Sequence, residues 1–324
     1  MVTSWDAAVE RAQARLGEAP GLRAVPPGEG RRFGRWDLAS LAEGELGELV
    51  DPEALTPADE RALAERLGGV NGRRTGEERH RRRYWVLGPD GDPAGTVAVD
   101  DRPGGPGQLA VSSLYLRPGA RGRGRAAAAL EEVYRAATAE GLPGYRLEAH
   151  WAWQRAVRYH LCRGLWAVSW KHAIALTRMP QLPPYQVREE YGRLVLRVAD
   201  GPRGPVPLLA AGHDGPWLRL DETAAYRQAD GWVRDYARTT LALHLALTGR
   251  PLVRGPQWWA EAWRWSDTGE PEGLAYRIEQ FERLARHGDR RTAHPGGPAG
   301  PDRQVEPDRP AAAALARLGD SGHG

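Results

Sequence analysis

The segment that most restricts the possible folds of this chain is residues 109–150. An apolar stretch, LAVSSLYL (109–116), precedes a loop of glycines and arginines, a helical pattern (127–140) that ends at Gly141, and a second apolar stretch, YRLEAH (145–150). A strand, a crossover helix and a second strand place the two strands parallel in one sheet. The sequence therefore predicts one pair of parallel strands.

Helix-capping and turn residues predict the other helices and strands of the first 180 residues. The predicted elements are helices at 5–16, 37–50 and 57–67, a hairpin of strands at 84–88 and 94–100, a helix ending at Gly164, and one or two strands at 166–178. Thr56 and Pro57 begin the third helix as N-cap and first residue, and Asp90 with Gly91 gives the hairpin turn. This predicts an α+β fold with a mixed, mostly antiparallel sheet, one parallel strand pair and flanking helices.

The pattern changes at Tyr185 to short strands. Strands are predicted at 193–199, 205–212 and 216–221, followed by helices at 222–248, 256–265 and 274–287. The Gly/Pro-rich end is predicted to be disordered. The predicted divisions are an N-terminal helix and arm (1–30), a main domain (31–182), a smaller C-terminal α+β extension (183–287) and a tail (288–324).

Composition excludes several classes. No apolar run reaches the 18 residues of a spanning helix, and the N-terminus is a mixed-charge amphipathic stretch, so a cytoplasmic protein without a membrane partner is expected. Cys162 is the only cysteine, which removes intramolecular disulfides and cysteine-built metal sites; no metal is expected. A net charge of +3 is too small to indicate nucleic acid.

The loop RPGARGRGRA after the first parallel strand has the composition of a phosphate-binding loop. Gly122 and Gly124 permit backbone conformations that bring N–H groups close to a ligand. The helix that begins there directs free N–H groups and its positive dipole end to the same place, which contributes about 0.3 to 2 kcal/mol. Charge-assisted hydrogen bonds from Arg121, Arg123 or Arg125 would add about 1.5 to 3 kcal/mol each.

Other phosphate motifs compete for this loop. A P-loop needs a lysine in its motif, and Lys171 is the only lysine in the chain. The dinucleotide-binding fingerprint matches formally at Gly122, Gly124 and Ala127. Its acidic residue would be Glu148, but five residues separate the fingerprint from the strand and the upstream hairpin is no nucleotide-binding half. A surface turn without a ligand also stays open.

The stretch LYLRPGARGRGRAAAAL resembles motif A of the GNAT superfamily of acetyl-CoA-dependent N-acyltransferases. The motif is a strand followed by Gln or Arg, two residues, Gly, one residue, and Gly or Ala, matched here by Arg121, Gly124 and Ala126. The order of helices and strands is also similar over roughly residues 30–178. The resemblance implies a GNAT-like fold, N-acetyltransferase activity and acetyl-CoA, or another acyl-CoA, as co-substrate.

The resemblance also implies where the co-substrate binds. Backbone N–H groups of the loop would hold the pyrophosphate of CoA, and the strand would run beside the pantetheine arm. A splay between the parallel strands would receive the thioester. The residues implied are Leu114, Tyr115, Leu116, Arg121, Gly122, Arg123, Gly124, Arg125 and Ala126.

The candidate general acid departs from the family pattern. A tyrosine in the family often protonates the departing thiolate from the helix after the second parallel strand. At the matching position this chain has His160, with Tyr159 next to it. His160 lies on the apolar face of its predicted helix, so a buried core histidine and a proton donor are both open. Trp153 replaces an asparagine frequent in the family.

Two residues of the second parallel strand are candidates for the general base. Glu148 and His150 alternate along the strand and so share one face. A glutamate whose pKa burial raises, or a histidine acting through a water, could take the ammonium proton, although a structural role is the more ordinary one at a strand end. Ser112 and Ser113 are weaker candidates for polar contacts, and Cys162 is expected to be an inert core residue.

The sequence leaves the partners open. The predicted acceptor is a small-molecule or peptide amine, and the extension could shape its site or support a homodimer. The alternatives are a catalytically silent module that binds CoA or a partner and, least favoured, a nucleic-acid-binding protein that uses the basic run 73–83. That run could instead meet the 3′-phosphate of CoA or remain a solvated face. Trp258, Trp259, Trp263 and Trp265 could line a pocket or belong to a core.

Overall fold

The computed structural model describes residues 4–67, 81–100, 107–149, 154–169, 174–199, 204–214 and 217–247. The chain divides into two compact units, Met1–Glu148 and Ala149–Gly324, and each is described by itself. Within these ranges, no helix combines the length and the apolar character that crossing a membrane requires.

The first unit alternates helices and strands. Its elements are α1 (Ser4–Glu18), β1 (Leu22–Ala24), a 3-10 turn (Pro27–Glu29), α2 (Gly30–Leu41), a π-helical turn (Ala42–Leu46), α3 (Pro57–Arg66), β2 (Arg82–Leu87), β3 (Pro93–Asp100), β4 (Leu109–Leu116), a 3-10 turn (Pro118–Ala120), α4 (Arg125–Ala139) and β5 (Tyr145–Ala149). α3 begins as predicted: Thr56 and Asp59 form a capping box, and Pro57 is the first helical residue.

The strands of the first unit follow the order β1-β2-β3-β4-β5. The pairs from β1 to β4 are antiparallel, and β4 pairs with β5 in parallel. The predicted hairpin forms β2 and β3, with Gly91 at a φ of 83° in its turn. The parallel pair predicted from the strand, helix and strand order is confirmed.

Helices cover both faces of this sheet. On one face Phe33 and Trp36 of α2 are fully buried, and the ring of Phe33 lies 5.4 Å from that of Trp85 on β2. Trp36 packs 5.6 Å from Trp85 and 6.1 Å from Tyr115 on β4, measured between ring centroids. α1 contacts α4, and every residue of β3 is buried. Because both faces of β3 are buried, its residues are nonpolar at nearly every position and do not alternate between polar and apolar.

The second unit joins a helix and hairpin to a four-stranded sheet. Its elements are α5 (Gln154–Cys162), β6 (Trp166–Ser169), β7 (Ile174–Arg178), β8 (Tyr185–Glu190), β9 (Arg193–Ala199), β10 (Pro205–Asp214), β11 (Trp217–Glu222), α6 (Ala224–Gln228) and α7 (Gly231–Leu247). β6 and β7 are antiparallel, and the sheet has the antiparallel order β11-β10-β9-β8. Its core residues include Trp166, Tyr185, Leu196, Leu209, Tyr226, Ala237 and Leu241.

Three element predictions need correction. The helix predicted at 37–50 begins at Gly30 and turns π-helical after Leu41. Its first turns were not predicted, because glycines interrupt the apolar pattern around Phe33. The helix predicted at 222–248 is two helices, since Ala229 adopts an extended conformation with ψ 153°. β8 was not predicted separately, because its sequence YQVREE carries three charges.

Several predictions lie outside the described residues. These are most of the basic run at 73–83, His150, Trp153, the helices at 256–265 and 274–287 with their four tryptophans, and the tail at 288–324.

Candidate functional site

The loop between β4 and α4 presents backbone N–H groups at an open helix end. Gly122 and Gly124 both have a φ of 74°, a conformation that side chains other than glycine rarely adopt. Gly124 is the N-cap of α4 and, as a glycine, has no side chain with which to cap the helix. The first intrahelical bond joins Ala128 N to Gly124 O at 2.9 Å, so the N–H groups of Arg125 to Ala127 precede it.

The outer side of this loop has room for a ligand. A Cβ atom built on Gly122 or Gly124 would meet no atom within 4 Å. Both glycines and Arg123 are exposed, and Arg125 is partly exposed. Free N–H groups, a helix dipole and two arginines therefore surround an accessible space, which is the electrostatic requirement of an anion site.

Arg121 braces the loop from the inside. Its Nε donates to Leu116 O at 2.9 Å, and both of its terminal nitrogens donate to the Glu43 carboxylate, Nη1 at 2.6 Å. Its guanidinium also lies 5.6 Å from the ring centroid of Tyr115. Burial lowers the pKa of Arg121, but the bonds to Glu43 outweigh it and raise the pKa overall. The side chain expected to meet phosphate thus holds the end of β4 to the π-helical turn.

β4 and β5 separate beside the loop. Their pairing covers Leu109–Tyr145, Ala110–Arg146 and Val111–Leu147, whereas β4 continues to Leu116. On its other side β4 stays paired with β3 up to Leu116. In these ladders, the far half of β4, which contains Leu114, Tyr115 and Leu116, is therefore paired with β3 but not with β5. A splay between the parallel strands requires this arrangement.

The serines of β4 make structural hydrogen bonds. Ser113 Oγ donates to Asp37 Oδ1 at 3.1 Å, and Arg81 Nη2 donates to Asp37 Oδ2 at 3.3 Å. Ser112 Oγ donates to Ala98 O at 3.4 Å. Asp37 and Glu43 were missed by the sequence analysis, because each pairs with a residue more than 70 positions away.

His160 lies inside the second unit. Its side chain is 6% exposed, and its Nδ1 has no hydrogen-bond partner among the described residues. Burial lowers the pKa of His160 to about 4, so the imidazole is neutral at pH 7. The geometry agrees with the buried-histidine interpretation rather than with a proton donor near neutral pH.

Tyr159, the neighbouring residue, is more accessible than His160. It is partly buried, and burial raises its pKa although the Arg163 guanidinium, 5.6 Å from its ring centroid, acts in the opposite direction. A raised pKa keeps the phenol protonated at neutral pH. It also makes the phenol a weaker proton donor than a free tyrosine.

Two expectations from sequence are corrected at side-chain level. Glu148 is not buried: its side chain is 56% exposed and its carboxylate pairs with Arg146 at 2.5 Å, in contrast to the buried glutamate that the sequence offered as a base. Cys162 is exposed and not a core residue, because it occupies the outward side of the last turn of α5.

Comparison with known proteins supports the resemblance. Residues 47–164 match the model of the Acetyltransferase (GNAT) family. This stretch contains β4, the glycine loop, α4 and α5. The match, with the parallel pair of β4 and β5 beside antiparallel pairs, confirms the GNAT resemblance and the α+β fold class, with an additional C-terminal sheet.

Solved acetyltransferase structures cover about a third to a half of the chain. The PaiA N-acetyltransferase of Thermoplasma acidophilum, in complex with coenzyme A, is 12% identical with a TM-score of 0.36, covering 49% of this chain and 97% of its own. An acetyltransferase of Thermus thermophilus is 18% identical with a TM-score of 0.34, covering 49% and 96%. Nourseothricin acetyltransferase is 20% identical with a TM-score of 0.27, covering 32% and 67%. Curated protein sequences give no significant match.

Proposed function

We propose that the protein is an N-acyltransferase that moves an acetyl or other acyl group from acyl-CoA to a primary amine. The observation that carries this proposal is the uncapped N-terminus of α4 behind two glycines at a φ of 74°, beside the point where β4 and β5 stop pairing. It lies within the stretch that matches the GNAT family. An anion site next to a half-paired strand suits a co-substrate that joins a pyrophosphate to an extended amide arm.

In this proposal the chain binds acyl-CoA mainly through backbone groups. The N–H groups of Gly122 to Ala126 hold the pyrophosphate, and Arg123 and Arg125 add charge from the exposed side. Residues Leu114 to Leu116 of β4 run beside the pantetheine arm, which lies along the edge of β4 that is no longer paired with β5. Arg121 acts through Glu43 by holding the loop in shape. These donors suit the two negatively charged phosphates of CoA.

The transfer needs no covalent enzyme intermediate. The neutral acceptor nitrogen attacks the thioester carbonyl carbon, a C–N bond forms, and the carbonyl electrons move to oxygen. As the carbonyl reforms, the C–S bond breaks and the electron pair leaves with sulfur. The thiolate takes a proton and the acceptor nitrogen loses one, so the reaction needs one acid and one base but no oxidant.

Tyr159 is the proposed acid for the thiolate, because it adjoins the family's acid position and is only partly buried. His160, buried and neutral, is proposed to pack beside it; the two rings lie 5.1 Å apart. For the base, Glu148, which is exposed, and His150, which lies outside the described residues, remain proposals. Either could take the ammonium proton, directly or through a water. The acceptor is proposed to be a small-molecule or peptide amine.

The first test is calorimetric titration with acetyl-CoA of the parent protein and of Gly124→Trp. We expect micromolar binding by the parent and a loss of at least about a hundredfold in the variant, the equivalent of about 2.7 kcal/mol. The substitution puts a large side chain at the open helix end and strains the backbone there.

Gly192→Trp is the matched control, since Gly192 has a φ of 76° and the same open surroundings but lies in the hairpin between β8 and β9. It should strain the chain similarly and leave acetyl-CoA binding unchanged. Equal affinity of the parent and Gly124→Trp would overturn the assignment of the loop.

A second candidate function is a catalytically silent module that binds CoA without transferring its acyl group. The neutral, buried His160 at the family's acid position favours it. Release of free thiol from acetyl-CoA in the presence of a panel of amines separates the two functions. Tight binding without thiol release by any amine would favour the silent module.

A further inference from the structure

A tyrosine of the C-terminal extension bonds to the C-terminal end of α5, and a histidine of the extension bonds to that tyrosine. Tyr185 of β8 is 7% exposed, and its hydroxyl lies 2.8 Å from Leu165 O and 3.2 Å from Leu161 O. The Nε2 atom of His244, on α7, lies 3.4 Å from the same hydroxyl. A hydroxyl has one proton to donate and can also accept. We assign Tyr185 as the donor to Leu165 O and the acceptor from His244 Nε2–H.

The carbonyl groups involved belong to the helix cap. Gly164 has a φ of 77°, its N–H donates to Leu161 O at 2.9 Å, and Leu165 N donates to His160 O at 3.2 Å. These two bonds form a Schellman motif, which ends α5. The Tyr185 hydroxyl therefore adds an external partner to the cap, and we call Tyr185, His244 and Leu165 O the cap clamp.

The same cap fixes Tyr159. Arg163, in the cap, donates its backbone N–H to Tyr159 O at 3.2 Å and places its guanidinium 5.6 Å from the centre of the Tyr159 ring. A shift of the cap would move the backbone and the cation that contact this tyrosine. The clamp and the proposed proton donor are thus joined by direct contacts at one end of one helix.

The first residues of β6 are tied to the extension in the same way. Trp166 Nε1 donates to Pro183 O at 3.0 Å, and Thr240 Oγ1 of α7 accepts from Ala167 N at 2.9 Å. The Trp166 ring lies 4.8 Å from that of Tyr185. The three consecutive residues from Leu165 to Ala167 therefore each make a hydrogen bond to the segment that follows β7.

We propose that Tyr185 and His244 are positioning residues for the acyl transfer, which hold the end of α5 and so set the orientation of Tyr159. The extension beyond residue 183 is then a working part of the catalytic machinery rather than an attached module. This inference rests on the proposed function, and its experiment has one readout that does not depend on activity.

The test variant is Tyr185→Phe, which removes the hydroxyl and keeps the ring in the core. The matched control is Tyr226→Phe: Tyr226 lies in the same unit, is fully buried, and its hydroxyl has no hydrogen-bond partner in the described part of the chain. Hydrogen exchange of the full-length protein is measured at the amides of Gly164 and Leu165. We expect these amides to exchange at least about tenfold faster in Tyr185→Phe, as loss of a hydrogen bond allows, and at the parent rate in Tyr226→Phe.

Steady-state kinetics supply the second readout. We expect kcat of Tyr185→Phe to fall about tenfold with the KM for acetyl-CoA unchanged, because the clamp touches neither substrate. His244→Leu should show the same loss. His244→Gln, whose amide N–H can replace Nε2–H, should recover most of kcat.

Each outcome decides a separate claim. Equal exchange rates in Tyr185→Phe and Tyr226→Phe would overturn the clamp. Faster exchange with an unchanged kcat would overturn the positioning role and leave the proposed function standing. If the parent binds acetyl-CoA but transfers to no amine, the proposed transfer and the positioning role both fall, while the exchange rates still decide the clamp.

Discussion

Arg121 illustrates how one residue can match a motif and yet make contacts that the motif does not predict. The sequence placed it in a phosphate loop, and the structure engages both terminal nitrogens of its guanidinium with Glu43. Both side chains are about three-quarters buried, at 22% and 24% exposure. The pair is therefore shielded from solvent more than an ordinary surface ion pair, whose contribution is small.

Replacing Glu43 by Gln distinguishes the two roles of Arg121. If Arg121 braces the loop, Glu43→Gln loosens it, and we expect acetyl-CoA to bind about three- to tenfold more weakly, equivalent to roughly 0.7 to 1.4 kcal/mol. If Arg121 contacts phosphate directly, removal of the competing carboxylate should instead tighten binding. The measurement is calorimetric titration, with Glu48→Gln, which removes another carboxylate from the same segment, as the control.

The residue scale also shows what a sequence cannot supply. The partners of Arg121 and Ser113 lie 78 and 76 positions away, and no local spacing links them. The glycines of the loop could be predicted because their conformation is local and only glycine adopts it readily. The burial of His160 could be anticipated from the apolar face of its helix, but the exposure of Glu148 could not, since it depends on what covers the end of β5.

At the scale of elements, α3 and α4 begin in opposite ways. α3 has a capping box, with Asp59 N donating to Thr56 Oγ1 at 3.2 Å and Thr56 N donating to Asp59 Oδ2 at 3.0 Å. α4 begins at a glycine with no side-chain cap. The helix with internal partners needs no ligand, whereas the uncapped helix leaves its first N–H groups for one.

The capping box at Thr56 carries a stability prediction. Thr56→Ala removes the hydroxyl that accepts from the first turn, and we expect the free energy of unfolding to fall by about 1 kcal/mol. Urea denaturation of the full-length protein measures it. Thr138→Ala, inside α4, is the control, because alanine is the better helix former there and should change stability by less than about 0.5 kcal/mol. Equal effects of the two substitutions would contradict a capping role.

Elements with strong local signals were predicted well, and those determined by packing were not. β4 extends over the predicted residues 109–116, and the hairpin and α3 begin at their turn and cap signals. The start of α2 at Gly30 and the strand β8 were missed, because each is stabilised by distant partners: Phe33 by Trp85, and β8 by its pairing with β9.

At the scale of the whole molecule, two buried histidines make folding sensitive to acid. Burial lowers the pKa of His160 to about 4; burial, and then the charge of Arg158, lower that of His244 to about 4. Both values lie below the usual 6.5, so the unfolded chain takes up protons first as the pH falls. The stabilisation from the neutral forms is full above pH 6.5 and is lost progressively toward pH 4.

The expected result is a fall in the free energy of unfolding between pH 6.5 and pH 4, with a slope of at most about 1.4 kcal/mol per pH unit for each histidine. Denaturation at pH 7.5, 6 and 5 measures it. His160→Leu should remove part of the slope, since a leucine does not titrate. An identical slope in the parent and the variant would show that His160 does not contribute.

The order of helices and strands along the chain could be predicted more completely than the contacts of the site residues. The α+β class and the parallel pair follow from element order, which handedness and loop length restrict strongly. The cap clamp could not be predicted, because Tyr185 and His244 resemble ordinary core residues in sequence and three strands and one helix separate their elements along the chain.

Cys162, exposed on the last turn of α5, gives the molecule a natural attachment point for a probe. Because it is the only cysteine among 324 residues, a thiol-reactive nitroxide would label a single position without prior mutagenesis. The label would sit within one turn of Tyr159 and beside the cap. Its electron paramagnetic resonance line shape would report how tightly this helix end is held, before and after acetyl-CoA is added.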